Sequence, residues 1–468
     1  MSSNTSDFAL MSAADMTTAF ASKKLSPVEV TKAALERIDR IQPILNAFCV
    51  IDSDSALADA KASEERWAKG AQLSAVDGVP TTIKDLVLTR GWPTLRGSRT
   101  ISPDQVWDED GPVTARLREG GAVLLGKTTT PEFGFKPTTS SPLTGITRNP
   151  WNTNLTPGGS SGGAGASVAV GAGTLALATD AGGSIRIPAS FSGVYGIKPS
   201  GGRVAMHPPT PLASLVGFGP MTRTVDDAAR MLTLLARPDA RDCATLAFED
   251  VSYHNHLNAE PKQWHIAYSP NMGFAKVDPE VAEIAAKAVQ IFANLGAKVD
   301  IVDHVMDDPS SLMTRLRRGF TSYAFRHLGD DDFAIMDPAI VEEIRASQVA
   351  NLCGHFDAEI ERAALLRQMI AFHTKYDFLL TPTLCIPPFS VDIERPLSEN
   401  RQSWTSMCIP FNLTRQPAAS VPCGFTKDGL PVGLQIVGPP QADLAVLQAS
   451  YAFEQAQPWV QYLPDLAQ

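Results

Sequence analysis

Apolar positions along this chain follow two rhythms. Near the N-terminus, Ser26-Pro27-Val28-Glu29 reads as a capping box with proline at the first helical position. The apolar stripe that follows, Val30, Ala33, Ala34 and Ile38, has helical spacing. The first seventy-odd residues are predicted to be helical. Short runs rich in β-branched residues then alternate with helices and glycine turns, as at Ala122-Val123-Leu124-Leu125 and Val194-Tyr195-Gly196-Ile197. Thr224-Val225-Asp226-Asp227 opens another helix, and Asp278-Pro279 caps a longer one reaching Gly296, with a strand at Val299 to Val302. Residues 305–375 read as mainly helical. Strand-like pieces return at Phe378-Leu379-Leu380, Ala419-Ser420-Val421 and Gly433-Leu434-Gln435-Ile436-Val437. This alternation predicts an α/β protein. Gly162 to Thr179 carries no charge, yet its Gly, Ala, Val and Ser are too weakly hydrophobic for a membrane span. A buried helix followed by a buried strand is predicted there.

Composition narrows the partners. The 468 residues are 44% hydrophobic and 19% charged, enough for a large core around one sheet. The net charge of −10 and the lack of a long Lys/Arg cluster argue against nucleic-acid binding. Arg315-Leu316-Arg317-Arg318 is short and reads as a solvated helix face. Six scattered cysteines without C-x-x-C spacing suggest reduced thiols in a cytoplasmic protein and no metal site. The opening residues Met1 to Asp7 lack the basic and apolar regions of an export signal.

The chemistry concentrates in three places. Ser160 lies in Pro157-Gly158-Gly159-Ser160-Ser161-Gly162-Gly163, and Ser184 in Thr179-Asp180-Ala181-Gly182-Gly183-Ser184-Ile185-Arg186. Glycines around a serine let backbone N–H groups converge beside a hydroxyl, as an oxyanion requires. Lys84 stands alone in an apolar run, Gly78 to Leu86, where burial would favour its neutral, basic form. Together these residues suggest acyl transfer by a Ser–Ser–Lys set. Two other motifs fit less well. Gly121 to Thr128 satisfies the phosphate-loop pattern, but Ala122-Val123-Leu124-Leu125 reads as a buried strand. Gly158-Gly159-Ser160-Ser161-Gly162 satisfies G-x-S-x-G, but Pro150 to Pro157 is a poor strand to precede a nucleophile elbow. None of the eight histidines sits in a glycine cluster or at ligand spacing.

The stretch from Gly126-Lys127-Thr128 through Pro131-Glu132-Phe133-Gly134 and Arg148-Asn149-Pro150-Trp151-Asn152 to Gly196-Ile197-Lys198-Pro199-Ser200-Gly201 resembles the amidase signature family. A weaker match extends from residue 75 to Gly429-Leu430-Pro431-Val432-Gly433-Leu434-Gln435. The resemblance implies one domain, a large mixed and twisted sheet flanked by helices. Residues 1–72 would be N-terminal helices, 73–205 the signature core, and 206–468 a C-terminal half contributing the substrate pocket. It also implies roles: Ser184 as nucleophile, Ser160 as proton relay after a cis peptide bond, and Lys84 as base. The N–H groups of Ala181, Gly182, Gly183 and Ser184 would form the oxyanion hole, Ser161 would hold Lys84, and Asp180 and Arg186 would brace the loop. Gly134 matches a position lining the acyl site, which makes Phe133 and Phe135 wall candidates. Trp404, Met407 and Phe411 lie where relatives contribute pocket residues. The implied substrate is a small hydrophobic or aryl amide, a carbamate or an ester, without cofactor or membrane, in a monomer or homodimer. The alternative within the family is the glutaminase A subunit of a tRNA-dependent amidotransferase. That class places an aspartate five residues before the Pro410-Phe411-Asn412-Leu413 segment, where this chain has Thr405.

Overall fold

Period-two burial along the strands divides the interior into two layers. Ile266 and Tyr268, Phe378 and Leu380, and Leu434 and Ile436 face one core, while the intervening Ala267 and Leu379 face another. The computed structural model describes residues 7–212, 214–393 and 403–468. Residues 1–6, read above for an export signal, lie outside the described residues.

Eleven strands form one sheet. They are β1 (Phe48–Ile51), β2 (Pro80–Lys84), β3 (Val123–Thr128), β6 (Leu175–Asp180), β7 (Tyr195–Lys198), β8 (Gly217–Thr222), β9 (His265–Tyr268), β10 (Lys298–Ile301), β11 (Phe378–Pro382), β12 (Ala418–Phe425) and β13 (Pro431–Val437); β4 (Ser140–Ser141) and β5 (Gly145–Ile146) form a separate hairpin. The order across the sheet is β1-β3-β2-β6-β8-β7-β12-β13-β11-β9-β10. The pairs β3–β2, β2–β6, β11–β9 and β9–β10 are parallel and the others antiparallel, so the sheet is mixed as expected.

Helices cover both faces. One side carries α1 (Ala13–Ala21), α4 (Pro112–Glu119), α7 (Val225–Leu235), α8 (Pro279–Asn294) and α14 (Asp443–Ala456). The other carries α2 (Pro27–Leu45), α3 (Ser53–Ala68), α5 (Gly162–Ala169) and α6 (Arg186–Ser192). The C-terminal half adds α9 (Ser310–Ala324), α10 (Asp330–Phe333), α11 (Pro338–Ser347), α12 (Leu352–Phe372) and the short α13 (Pro410–Leu413). The expected caps form: Ser26 and Glu29 make a reciprocal capping box, and Thr224 and Asp278 cap α7 and α8. The uncharged segment forms the fully buried α5 and then β6.

One expectation fails. The N-terminal seventy residues are not wholly helical, because α2 stops at Asn46 in a left-handed conformation and Phe48-Cys49-Val50-Ile51 pairs with β3. Aromatic and β-branched side chains suit that sheet edge. The phosphate-loop pattern is indeed a buried strand, and Lys127 pairs with Asp85 at 2.9 Å. No helix among the described residues is long and apolar enough to cross a membrane.

Candidate active site

The parallel strands β2 and β6 lie side by side, with Ile83 opposite Leu177, so their carboxyl ends reach the same edge of the sheet. Ile83 joins the core formed with Leu175 and Leu177. Its neighbour Lys84, the last residue of β2, therefore turns to the opposite face, toward the start of α5.

Lys84 is fully buried. Its Nζ lies 2.7 Å from Ser160 Oγ, 2.8 Å from Ser161 Oγ and 3.0 Å from Thr179 Oγ1. Among the described residues it forms no ion pair. Burial pushes the ammonium well below the usual lysine range, and the charge of Asp180 only partly opposes this. Ser161 Oγ donates to the carbonyl of Thr179 at 3.2 Å, so it accepts from the amine. A neutral amine has two N–H donors and one lone pair, which matches three hydroxyl neighbours without an unmet group.

The peptide bond between Gly159 and Ser160 is cis. A Cβ on Gly159 would sit 2.7 Å from the Thr138 carbonyl, which excludes any side chain there. Ser160 is only 2% exposed, whereas Ser184 is half-buried and reachable. The two segments touch through the Ser161 N–H, which donates to the Ser184 carbonyl at 3.3 Å.

The loop bearing Ser184 is held from behind by a buried ion pair. Asp180 accepts from Arg186 Nε at 3.0 Å and Nη2 at 3.1 Å, from the Gly183 N–H at 2.7 Å and from the Ile185 N–H at 3.2 Å. Arg186 also reaches Gln435 Oε1 at 2.7 Å, Asn412 Oδ1 at 2.6 Å and the Cys408 carbonyl at 2.9 Å. Burial would raise the Asp180 carboxyl, but the charge and hydrogen bonds of Arg186 outweigh it and hold the group well below the carboxylate range. This pair supplies the bracing expected of it, and it corrects the oxyanion set. The Gly183 N–H points at Asp180 and is not free for an oxyanion. Those of Ala181, Gly182 and Ser184 make no hydrogen bond among the described residues.

The nominated wall residues divide. Gly134, at φ 69°, abuts Ser160: a Cβ there would lie 3.3 Å from its Oγ. Phe133 and Phe135 are partly exposed and lean on the C-terminal helices, Phe133 edge-on to Phe325 and Phe135 beneath Arg317. Met407 and Phe411 are both 0% exposed within a core with Leu379 and Val437, so they pack and do not line an open site. Trp404, 7% exposed, stacks on Phe191 at 5.5 Å and belongs to the cluster with Ile187 behind the Ser184 loop.

Four contributors were not singled out from sequence. Thr179 contacts Lys84, and the amides of Asn412 and Gln435 complete the Arg186 shell. Glu132 is buried and accepts from Ser98 Oγ and the Asp337 N–H, both at 2.6 Å, tying the Gly134 segment to α11. A lone amide or carboxylate in an apolar run is the signal, since buried polar groups need partners.

With this geometry in place, comparison with known proteins defines the class. The family model described as Amidase matches residues 29–447. The chain belongs to that family, the amidase signature proteins, and is an amide-hydrolysing enzyme. It is 35% identical over 467 residues to an acylamidase of Rhodococcus erythropolis, covering 97% of each chain. It is equally 35% identical over 470 residues to the A chain of the glutamyl-tRNA(Gln) amidotransferase of Moorella thermoacetica, covering 95% of this chain and 96% of the other. Among solved structures, a bacterial aryl acylamidase superposes with a TM-score of 0.90 at 32% identity, over 98% of both chains.

Proposed function

We propose that this enzyme hydrolyses small hydrophobic or aryl amides through an acyl-enzyme on Ser184. The observation that carries the mechanism is the burial of Lys84 among three hydroxyls, with its amine 2.7 Å from the Ser160 hydroxyl. In this reading, Lys84 takes the Ser160 proton while Ser160 takes that of Ser184, whose Oγ bonds to the amide carbon. The Ala181, Gly182 and Ser184 N–H groups receive the oxyanion, each such donor being worth about 3–4 kcal/mol. Collapse breaks the C–N bond, and the relay returns its proton to the leaving amine. Water then releases the acid by the same path. Carbamates and esters present the same carbonyl to this set. Six unpaired cysteines support a cytoplasmic location.

A fluorophosphonate is expected to label Ser184, located by peptide mass spectrometry. An adduct on Ser160 with Ser184 unmodified would refute the nucleophile assignment.

The second reading, a glutaminase component of an amidotransferase, draws support from the relative in Moorella thermoacetica. Against it stands Thr405, which is buried and shares a 2.7 Å hydrogen bond with Ser403, so it offers no carboxylate to an α-ammonium group. The protein alone is expected to turn over an apolar anilide with much higher kcat/KM than glutamine. Efficient glutamine hydrolysis without anilide turnover would favour the glutaminase reading.

A further inference from the structure

Helix α12 is apolar on two opposite sides. Its inner stripe, Ala358, Arg362, Leu365 and Met369, packs inward, with Arg362 donating to the Leu413 carbonyl. The outer side carries Leu352, Phe356, Ile360 and Ile370, each 48–70% exposed, along with the exposed Ala363 and Arg367. At 100° per residue these six fall within an arc of about 80°, so they form one continuous seam. Val349, 78% exposed, extends it just before the helix. Helix α9 runs antiparallel alongside, as the Arg315–Glu361 ion pair and the Phe320–His355 ring contact show. One further turn along α9 brings the exposed Tyr323 beside the start of the seam.

The seam is close to palindromic. A twofold axis through the midpoint between Glu361 and Arg362 sets Phe356 opposite Arg367 of the other copy and Ile360 opposite Ala363, with Leu352 beside Ile370. Near the axis, large side chains thus meet small or flat partners, and a guanidinium covers an aromatic face. Asp357 and Arg367, both exposed and without an ion pair in their own chain among the described residues, come nearly level with each other across the axis. An isologous contact requires this self-complementarity. The seam from Leu352 to Ile370 is about 28 Å long. With Tyr323 it supplies on the order of 500 Å² per copy, enough for the apolar centre of a standard interface of about 800 Å² per partner.

We propose that α12 pairs antiparallel with α12 of a second copy of this chain, giving a twofold homodimer. The contact lies outside the Ser184 site, and its test reads mass independently of the substrate assignment. In sedimentation velocity at micromolar concentration, the wild type is expected at twice its 50.1 kDa. Ile360→Glu should halve that mass and leave the circular dichroism and per-chain anilide kcat/KM unchanged. Phe356→Lys, at a different point of the seam, should do the same. Asp357→Arg should raise the dimer dissociation constant several-fold, and adding Arg367→Asp in the same chain should restore it. A wild type that stays at 50.1 kDa at tens of micromolar overturns the proposal, as does a monomer that floats with phosphatidylcholine–phosphatidylglycerol vesicles. Seam variants that fold and remain dimeric would also overturn it by assigning the contact to another face.

Discussion

Replacing Lys84 by alanine is expected to lower amide hydrolysis on the order of 10⁴-fold or more, the usual scale for loss of a member of a coupled catalytic set. In the wild type, kcat/KM should climb as pH rises through the depressed lysine pKa and then level off. In the proposed mechanism the working base is the deprotonated amine, which burial favours, so activity is expected to be lost as pH falls and the amine is protonated. The same rise should be absent from the residual activity of Lys84→Ala. Circular dichroism should match the wild type, because the substitution removes one side chain from a site framed by β2, β6 and α5. Wild-type rates in a folded Lys84→Ala would end the proton-relay mechanism.

The second large effect concerns stability. Arg186→Met should cost about 3–5 kcal/mol, because it leaves the Asp180 carboxylate buried without its countercharge. Gln435 Oε1, Asn412 Oδ1 and the Cys408 carbonyl lose a donor together. Adding Asp180→Asn should recover part of the loss by removing the uncompensated charge. Urea unfolding of the three proteins measures this, and a single variant within about 1 kcal/mol of wild type would contradict the bracing role.

The proposed set of Lys84, Ser160 and Ser184 could be nominated from sequence because its signals are local and chemically unusual: two serines in glycine clusters and one lysine in an apolar run, and the structure brings Lys84 against Ser160. The same holds for capped helices such as α2 and α8, where Ser26 and Asp278 sit directly before proline. The limits were equally physical. Four successive N–H groups look alike in sequence, yet the φ of 117° at Gly183 goes with an N–H turned toward Asp180. Met407 and a true pocket residue share one composition, and only packing against Leu379 and Val437 separates them. Strand β1 was hidden by its brevity between two long helices. The outward seam of α12 escaped notice because apolar residues on both sides cancel the one-sided pattern by which a surface helix is recognised.

The Asp180–Arg186 brace also bears on how the enzyme comes into being. Every group given a reacting role in the proposed mechanism lies between residues 84 and 184, but Asn412 and Gln435, which hold Arg186, are made 226 and 249 residues after it. As the ribosome adds residues, the Ser184 loop and its local contacts to Asp180 are made long before the amides that hold Arg186 from the other side. A nascent or prematurely terminated chain therefore carries Lys84, Ser160 and Ser184 without two of the groups that support the Ser184 loop. On the proposed mechanism, full hydrolytic competence is expected only once β13, the last strand in chain order, has been made and Gln435 can reach Arg186.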